Sequence, residues 1–230
     1  LLSLSLGRVS TNTDTTNVRM RADGRSGERA RERMLRKRVR KTADEETNNS
    51  EETETPDVKC IGTQVFYYAD VTTQSVLVLL EKLNEALQNA VKVVTPFREM
   101  CVHVYIHSGG GDAYAGLSAM QHLQRFPCKV VTVMDGFCAS AASLIFLGGR
   151  ERIAFKHAYM LIHQLQTSFE GRYEDLKDEF KNSTLLMETF RSVYKTETSI
   201  LPETLDSLLK DEKCMSSEEC LRYGFATQIV

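Results

Sequence analysis

Ser140 stands in the stretch Gly136-Phe137-Cys138-Ala139-Ser140-Ala141-Ala142-Ser143, where small residues crowd around a hydroxyl. The apolar run Val130 to Met134 precedes it and reads as a short buried strand; Leu144 to Leu147 follows. The pattern predicts a strand, a tight turn and the start of a buried helix. A serine at such a helix N-terminus lies beside unpaired backbone N–H groups that can stabilise an oxyanion. Taken alone, the stretch admits two readings, a nucleophile or a small residue in a crowded turn. Ser143, one helical turn further on, reads as buried.

Three glycines, Gly109-Gly110-Gly111, follow the alternating strand pattern Cys101 to His107. They fit neither the Walker phosphate loop, which ends in Gly-Lys-Ser/Thr, nor the G-x-G-x-x-G spacing of dinucleotide folds. They let the backbone turn tightly and expose N–H groups to a bound molecule, or they make a purely structural turn. His103 and His107 share a strand, and four residues of strand separate them by roughly 13 Å, too far for one metal. His122 sits mid-helix among polar neighbours, and His157 precedes a strand. His163 closes the apolar run Tyr159 to Ile162 and emerges at a strand end, where a catalytic group can be presented.

Those residues need a scaffold, and the patterning supplies an α/β one. Val65 to Tyr68 is a strand candidate, and Thr72 or Thr73 caps a helix with Val76, Leu79, Leu80, Leu83 and Leu87 at helical spacing. A helix is expected over Ala113 to Arg125, and two short strands between Ile153 and His163. Arg172 to Thr198 reads as a long amphipathic helix with Leu176, Phe180, Met187, Phe190 and Tyr194 near one stripe. Pro202 opens another helix ending near Lys210; Ser216 to Glu219 is a capping box, and Gly224 stops the last helix. Strands alternating with helices from Val58 to Val230 argue for one α/β domain.

Residues 1 to 57 differ. Beyond Leu1 to Leu6 they are nearly devoid of large apolar side chains, with a basic block at Arg29 to Lys41 and an acidic one at Asp44 to Asp57. Such a segment cannot bury enough apolar surface to offset its ordering entropy, so a disordered tail is expected, with a helix over Glu28 to Lys41 as the other option. Its Arg, Ser and Thr content also suits an organelle transit peptide, which would place the chain in a plastid or mitochondrion; otherwise the cytoplasm is expected. The net charge of -2 among 230 residues gives no general argument for nucleic acid or an anionic membrane. No apolar run approaches the roughly 20 residues that cross a bilayer. The six cysteines are scattered without a CxxC pair, which argues against zinc and disulfide scaffolds and for a reducing compartment.

Four segments carry a family resemblance. Tyr105 to Gly111 resembles the I-x-S-P-G-G turn of the Clp protease proteolytic subunit, ClpP. Gly136 to Ser140 resembles its G-x-A-A-S motif, Met160 to Gln164 its M-I-H-Q segment, and Met215 to Gly224 its S-x-x-E-A-x-x-Y-G helix. The resemblance covers about Ile61 to Val230. It implies the ClpP/crotonase-like spiral of β-β-α units with a protruding handle helix, here Arg172 to Thr198. It implies a serine endopeptidase with Ser140 as nucleophile, His163 as general base, and the N–H groups of Gly111 and Ala141 as oxyanion hole. Gly109, Gly110 and Gln164 are expected to hold an extended substrate. The implied assembly is a tetradecamer of two stacked heptameric rings, with related subunits as an option. A ring ATPase of the Clp type would feed it unfolded protein; the ATP is the partner's, and no cofactor or metal is expected here.

Three positions depart from that pattern. The family's catalytic aspartate falls on Glu212, with Asp211 immediately before it; Gly109 and Leu165 stand where the family has proline. Glutamate can orient an imidazole, but its extra methylene demands another backbone offset, so Glu212 serves, Asp211 replaces it, or the triad is impaired. The impaired case would make the chain a catalytically silent ring subunit. A crotonase-like acyl-CoA enzyme shares the architecture but normally lacks the serine–histidine pair. A serine–lysine peptidase would need a lysine that no motif here supplies.

Overall fold

The computed structural model describes residues 57–93 and 100–230; the tail expected over residues 1–57, with its charge blocks, lies outside the described residues except for Asp57. Strands β1 (Val58–Ile61) and β2 (Gln64–Tyr67) form an antiparallel hairpin, and helix α1 (Thr73–Val93) follows. Thr72 caps α1: its hydroxyl accepts the Ser75 N–H at 3.0 Å, while the Ser75 hydroxyl accepts the Thr72 N–H at 2.9 Å. Val76, Leu79, Leu83, Ala86 and Ala90 are buried at helical spacing, as the sequence predicts for the first three.

Strand β3 (Cys101–Ser108) alternates as expected, with Val102, Val104 and Ile106 fully buried. Helix α2 (Ala113–Gln124) starts at Asp112, whose carboxylate accepts the Ala115 N–H at 2.9 Å. Strand β4 (Lys129–Ala139) and helix α3 (Ala141–Leu147) follow, then β5 (Glu151–Ala154) and β6 (Tyr159–Leu161). The second half contains α4 (Tyr173–Glu197), α5 (Pro202–Asp211), β7 (Cys214–Ser216), α6 (Ser217–Arg222) and β8 (Gln228–Ile229).

Strands β2, β3, β4, β5 and β8 are parallel neighbours in the order β1-β2-β3-β4-β5-β8. Strand β6 pairs parallel with the far end of β4 and antiparallel with β7. Thus β4 serves two partners in succession: Val131 to Met134 align with β5, and Phe137 to Ala139 with β6. Here the structure corrects the sequence reading. The strand does not end at Met134 in a tight turn; it bends at Gly136, with φ +103, and keeps pairing through Ala139. Small residues imitate a turn signal, but a glycine in a strand can mark a bend that leaves the ladder running.

Helix α3 is buried over its whole length, Ala141 to Leu147, which is why its sequence shows no amphipathic stripe. Its last turn is anchored by Thr132, buried in β4, whose hydroxyl donates to the Phe146 carbonyl at 2.7 Å. The single stripe expected along α4 divides. Leu186, Phe190 and Tyr194 are buried, whereas Leu176, Phe180 and Leu185 are 42%, 75% and 65% exposed, so the first half projects its apolar residues outward. Arg152 ties the end of α4 to the turn before β8, donating to the carbonyls of Glu197, Gly224 and Phe225.

The capping box at α6 is as the sequence predicts: the Ser216 hydroxyl accepts the Glu219 N–H at 3.3 Å, and the Glu219 carboxylate accepts the Ser216 N–H at 2.9 Å. Ser216→Ala is expected to lower the unfolding free energy by about 1 kcal/mol in a urea titration. A loss under about 0.3 kcal/mol would show that the cap contributes nothing to holding β7 and α6 together.

Candidate active site

Ser140 is the single residue between β4 and α3, and it takes a backbone conformation that side chains seldom adopt, φ 53 and ψ -125. A non-glycine residue there stores on the order of 1–3 kcal/mol of strain. Three bonds hold it. Its N–H donates to the Leu161 carbonyl at 2.8 Å, and its carbonyl accepts the Ser143 N–H at 3.0 Å and the Ser143 hydroxyl at 2.6 Å. The sharp exit turns the Ser140 side chain away from the strand and leaves it half-buried. This is the strand-to-helix elbow that presents a nucleophilic serine in hydrolases of other folds.

Ser143 is fully buried, and its hydroxyl is shared between the Ser140 carbonyl and the Tyr194 hydroxyl at 2.8 Å. Its role is to brace the elbow. Burial pushes the Tyr194 phenol up to about 12, with the Ser143 hydrogen bond opposing that shift, so it is a neutral brace across the physiological range. The nearby thiol of Cys138 is wholly buried and its pKa is driven far upward by desolvation, which removes it as a rival nucleophile.

The glycine turn is pressed against the elbow. A Cβ on Gly110 would lie 2.6 Å from Ser140 Cβ and 2.7 Å from the Ala139 carbonyl oxygen, and Gly110 has φ +99. On its other side the turn is stitched to Val71, whose N–H donates to Gly110 and whose carbonyl accepts from Asp112, both at 2.7 Å. In this parallel bridge Val71 makes both bonds, so the Gly111 N–H points away from it. The Ala141 N–H is in the first turn of α3, where no intrahelical acceptor exists. Gly111 and Ala141 both line one cavity. At Gly109, by contrast, an added Cβ would meet nothing within 4 Å.

That cavity, about 310 Å³, is lined by Ser140, Ala141, Gly109, Gly111, His163 and Gln164, among others. His163 follows β6, and its neighbours anchor the segment: the Gln164 N–H donates to the Leu209 carbonyl of α5 at 2.8 Å, and the Leu165 N–H meets the Met187 sulfur of α4 at 3.0 Å. Because Ser140 is bonded to Leu161, the elbow and the histidine segment are fixed to the same strand end. Gly110 faces a neighbouring open groove with Asp70 to Gln74.

The acid is not assembled in the same way. His163 Nδ1 is buried without a hydrogen-bond partner. Asp211 is exposed and accepts from the Ser207 hydroxyl at 2.8 Å. Glu212 is exposed in a left-handed conformation, φ 51 and ψ 39, where α5 ends. No hydrogen bond joins either carboxylate to the imidazole. The far wall of the cavity comes from Leu144, Leu165, Phe190 and Tyr194, which sequence reasoning did not place there. Phe190 and Tyr194 are recognisable in sequence only as part of a helical stripe; that the stripe lines a cleft depends on how α4 crosses α3. Among the described residues no three His, Cys, Asp or Glu side chains cluster as metal ligands, and no helix is long and apolar enough to cross a membrane.

A family model described as Clp protease matches residues 67–230. An ATP-dependent Clp protease proteolytic subunit of Deinococcus radiodurans is 29% identical over 57% of this chain and 66% of its own length. One from Ostreococcus tauri is 33% identical over 53% of this chain and 62% of its own length. The chain thus spans just under two thirds of these curated relatives. Among solved structures, a ClpP1 mutant from Listeria monocytogenes superposes with a TM-score of 0.62 at 18% identity, covering 74% of this chain and 91% of that one. That likeness concerns the fold, and it agrees with the expected spiral α/β architecture.

Gly110→Ala forces a methyl group into the elbow at a positive φ. The expected outcome is a loss of at least about 1 kcal/mol in stability, together with slower covalent labelling of Ser140 by a fluorophosphonate. A variant with native stability and native labelling would show that the turn and the elbow are not in contact.

Proposed function

We propose a serine endopeptidase function for this chain, which belongs to the Clp protease family. The observation that carries the proposal is the strained elbow at Ser140, set on one cavity with His163 and with the backbone donors of Gly111 and Ala141. In this reading His163 takes the Ser140 proton as the hydroxyl attacks a peptide carbonyl. The two N–H groups receive the developing oxyanion, and His163 then protonates the leaving amine. Gly109, Gly110 and Gln164 border the path of an extended peptide, which the glycine turn would hold by main-chain bonds.

The third role is assigned to Glu212, with Asp211 as the alternative. Either acid would fix the tautomer of His163 and stabilise its imidazolium. The family also motivates the rest of the proposal: unfolded protein as substrate, a chamber of two stacked heptameric rings, a Clp-type ring ATPase as partner, and an exposed first half of α4 as an assembly element. A reducing compartment is proposed from the cysteines, all six of which are free.

A second reading has its own observation. The unpartnered Nδ1 of His163 and the exposed Glu212 favour a ring subunit that completes a mixed assembly without cleaving peptides. Labelling separates the two: a fluorophosphonate adduct on Ser140 in the assembled protein supports the peptidase, and a folded, assembled, unlabelled chain supports the silent subunit.

Ser140→Ala is expected to leave the native mass unchanged and to lower peptide turnover by about 10⁴-fold or more. Full turnover in that variant would remove Ser140 from the mechanism. If Glu212 orients His163, Glu212→Ala lowers kcat on the order of 10³-fold while Asp211→Ala changes it little. The reversed pattern assigns the role to Asp211, and two unaffected variants would mean that no carboxylate from this segment takes part.

A further inference from the structure

The pairing of β3 with β4 breaks just before the elbow. Ile106 faces Met134 and Ser108 faces Cys138, so His107 alone stands opposite three residues, Asp135, Gly136 and Phe137. Two excess residues on one strand leave ladder groups without their usual partners. The His107 side chain occupies the gap. The Phe137 N–H donates to its Nδ1 at 3.2 Å, and the same nitrogen lies 3.1 Å from the Asp135 carbonyl oxygen. Gly136 closes over the ring so tightly that a Cβ there would sit 2.7 Å from Nδ1. The Tyr68 ring packs beside the imidazole, 5.6 Å between centroids, and its hydroxyl donates to the Asp135 carboxylate.

One nitrogen cannot accept and donate at once. With the proton on Nε2, Nδ1 accepts the Phe137 N–H and stands in for the missing strand partner. With the proton on Nδ1, the ring can only donate to Asp135, and the Phe137 N–H loses its acceptor. We propose that His107 is a positioning residue for Ser140: its unprotonated Nδ1 holds Phe137 and thereby fixes where β4 leaves β5 and joins β6. This rests on the reading of Ser140 as nucleophile.

The route from ring to nucleophile is short. Phe137, Cys138 and Ala139 pair with Tyr159, Met160 and Leu161, and Leu161 then accepts the Ser140 N–H. A slip at Phe137 therefore moves the elbow relative to the strand end that carries His163. His107 also precedes Ser108, whose hydroxyl accepts the Gly110 N–H at 3.2 Å, so both walls of the cleft meet at this point. His107 itself is not part of the cavity lining, and it acts through the backbone.

Two substitutions separate the acceptor from the shape. In His107→Asn the amide oxygen takes the position of Nδ1; in His107→Leu a similar volume remains without an acceptor. On the full chain, His107→Leu is expected to lower kcat and the rate of Ser140 labelling by about tenfold or more with KM within about twofold, and His107→Asn to recover both to within about threefold. A wild-type chain that labels, beside a His107→Leu variant that labels equally fast, overturns the inference and leaves the nucleophile in place. So does an Asn variant as slow as the Leu variant. A wild-type chain that does not label counts against the Ser140 reading instead. Nitrogen-15 NMR of histidine-labelled wild-type protein decides the His107 contact without any activity or variant. An unprotonated Nδ1 at neutral pH is expected, and a protonated one overturns the proposal.

Discussion

The backbone of Ser140 is the constraint on which the cleft depends. A residue at φ 53 and ψ -125 would relax if it were free, and it stays there because three hydrogen bonds fix both of its peptide groups. Two of those bonds come from Ser143, which is rigid because it is buried and because Tyr194 holds its hydroxyl from α4. The third comes from Leu161, the last residue of the strand that delivers His163. The strain is thus offset by packing in three separate elements. Any peptide chemistry at Ser140 inherits its geometry from α3, α4 and β6 together.

The sheet explains how those elements meet. Were β4 to run straight beside β5, the elbow would end against the wrong neighbour. The bend at Gly136 transfers the last three residues to β6, and the pairing to β3, interrupted opposite His107, resumes at Ser108 and Cys138. Meanwhile β3 ends in Ser108, whose hydroxyl donates to the Ala69 carbonyl at 2.7 Å and accepts the Gly110 N–H. The glycine turn is thereby held between Val71 and Ser140, close enough on the second side that no side chain fits at position 110. Parallel strands feeding helices put both loops at the same end of the sheet, which is where α/β folds gather their ligands.

Much of this was legible in the sequence because the signals were local. Thr72 and Ser216 announce helix starts through side chains that bond their own backbone. The alternation of Val102, Val104 and Ile106 announces a strand by its period. Ser140, His163 and the glycines could be singled out by type and by motif order, and they do line one cavity or its adjoining groove. What was not legible depends on tertiary placement. Gly136 to Ala139 has the composition of a turn, and only its pairing with β6 and, at Cys138, with β3 makes it a strand. Phe190 and Tyr194 carry the same helical period as Phe180, yet they are buried while Phe180 projects outward, because the sequence does not say where α4 leaves the domain.

The acid is the remaining step, and its difficulty is local. Leu209 is tied to Gln164, the residue after His163, so α5 delivers its last turn directly to the histidine segment. Glu212 is three residues beyond that anchored carbonyl, already out of the helix and in a left-handed conformation that a non-glycine residue adopts at some cost. A buried Nδ1 without a partner carries a penalty of about 1–3 kcal/mol, which a carboxylate within reach would remove. In the proposed triad Glu212 has to meet that nitrogen from an exposed position at the end of α5.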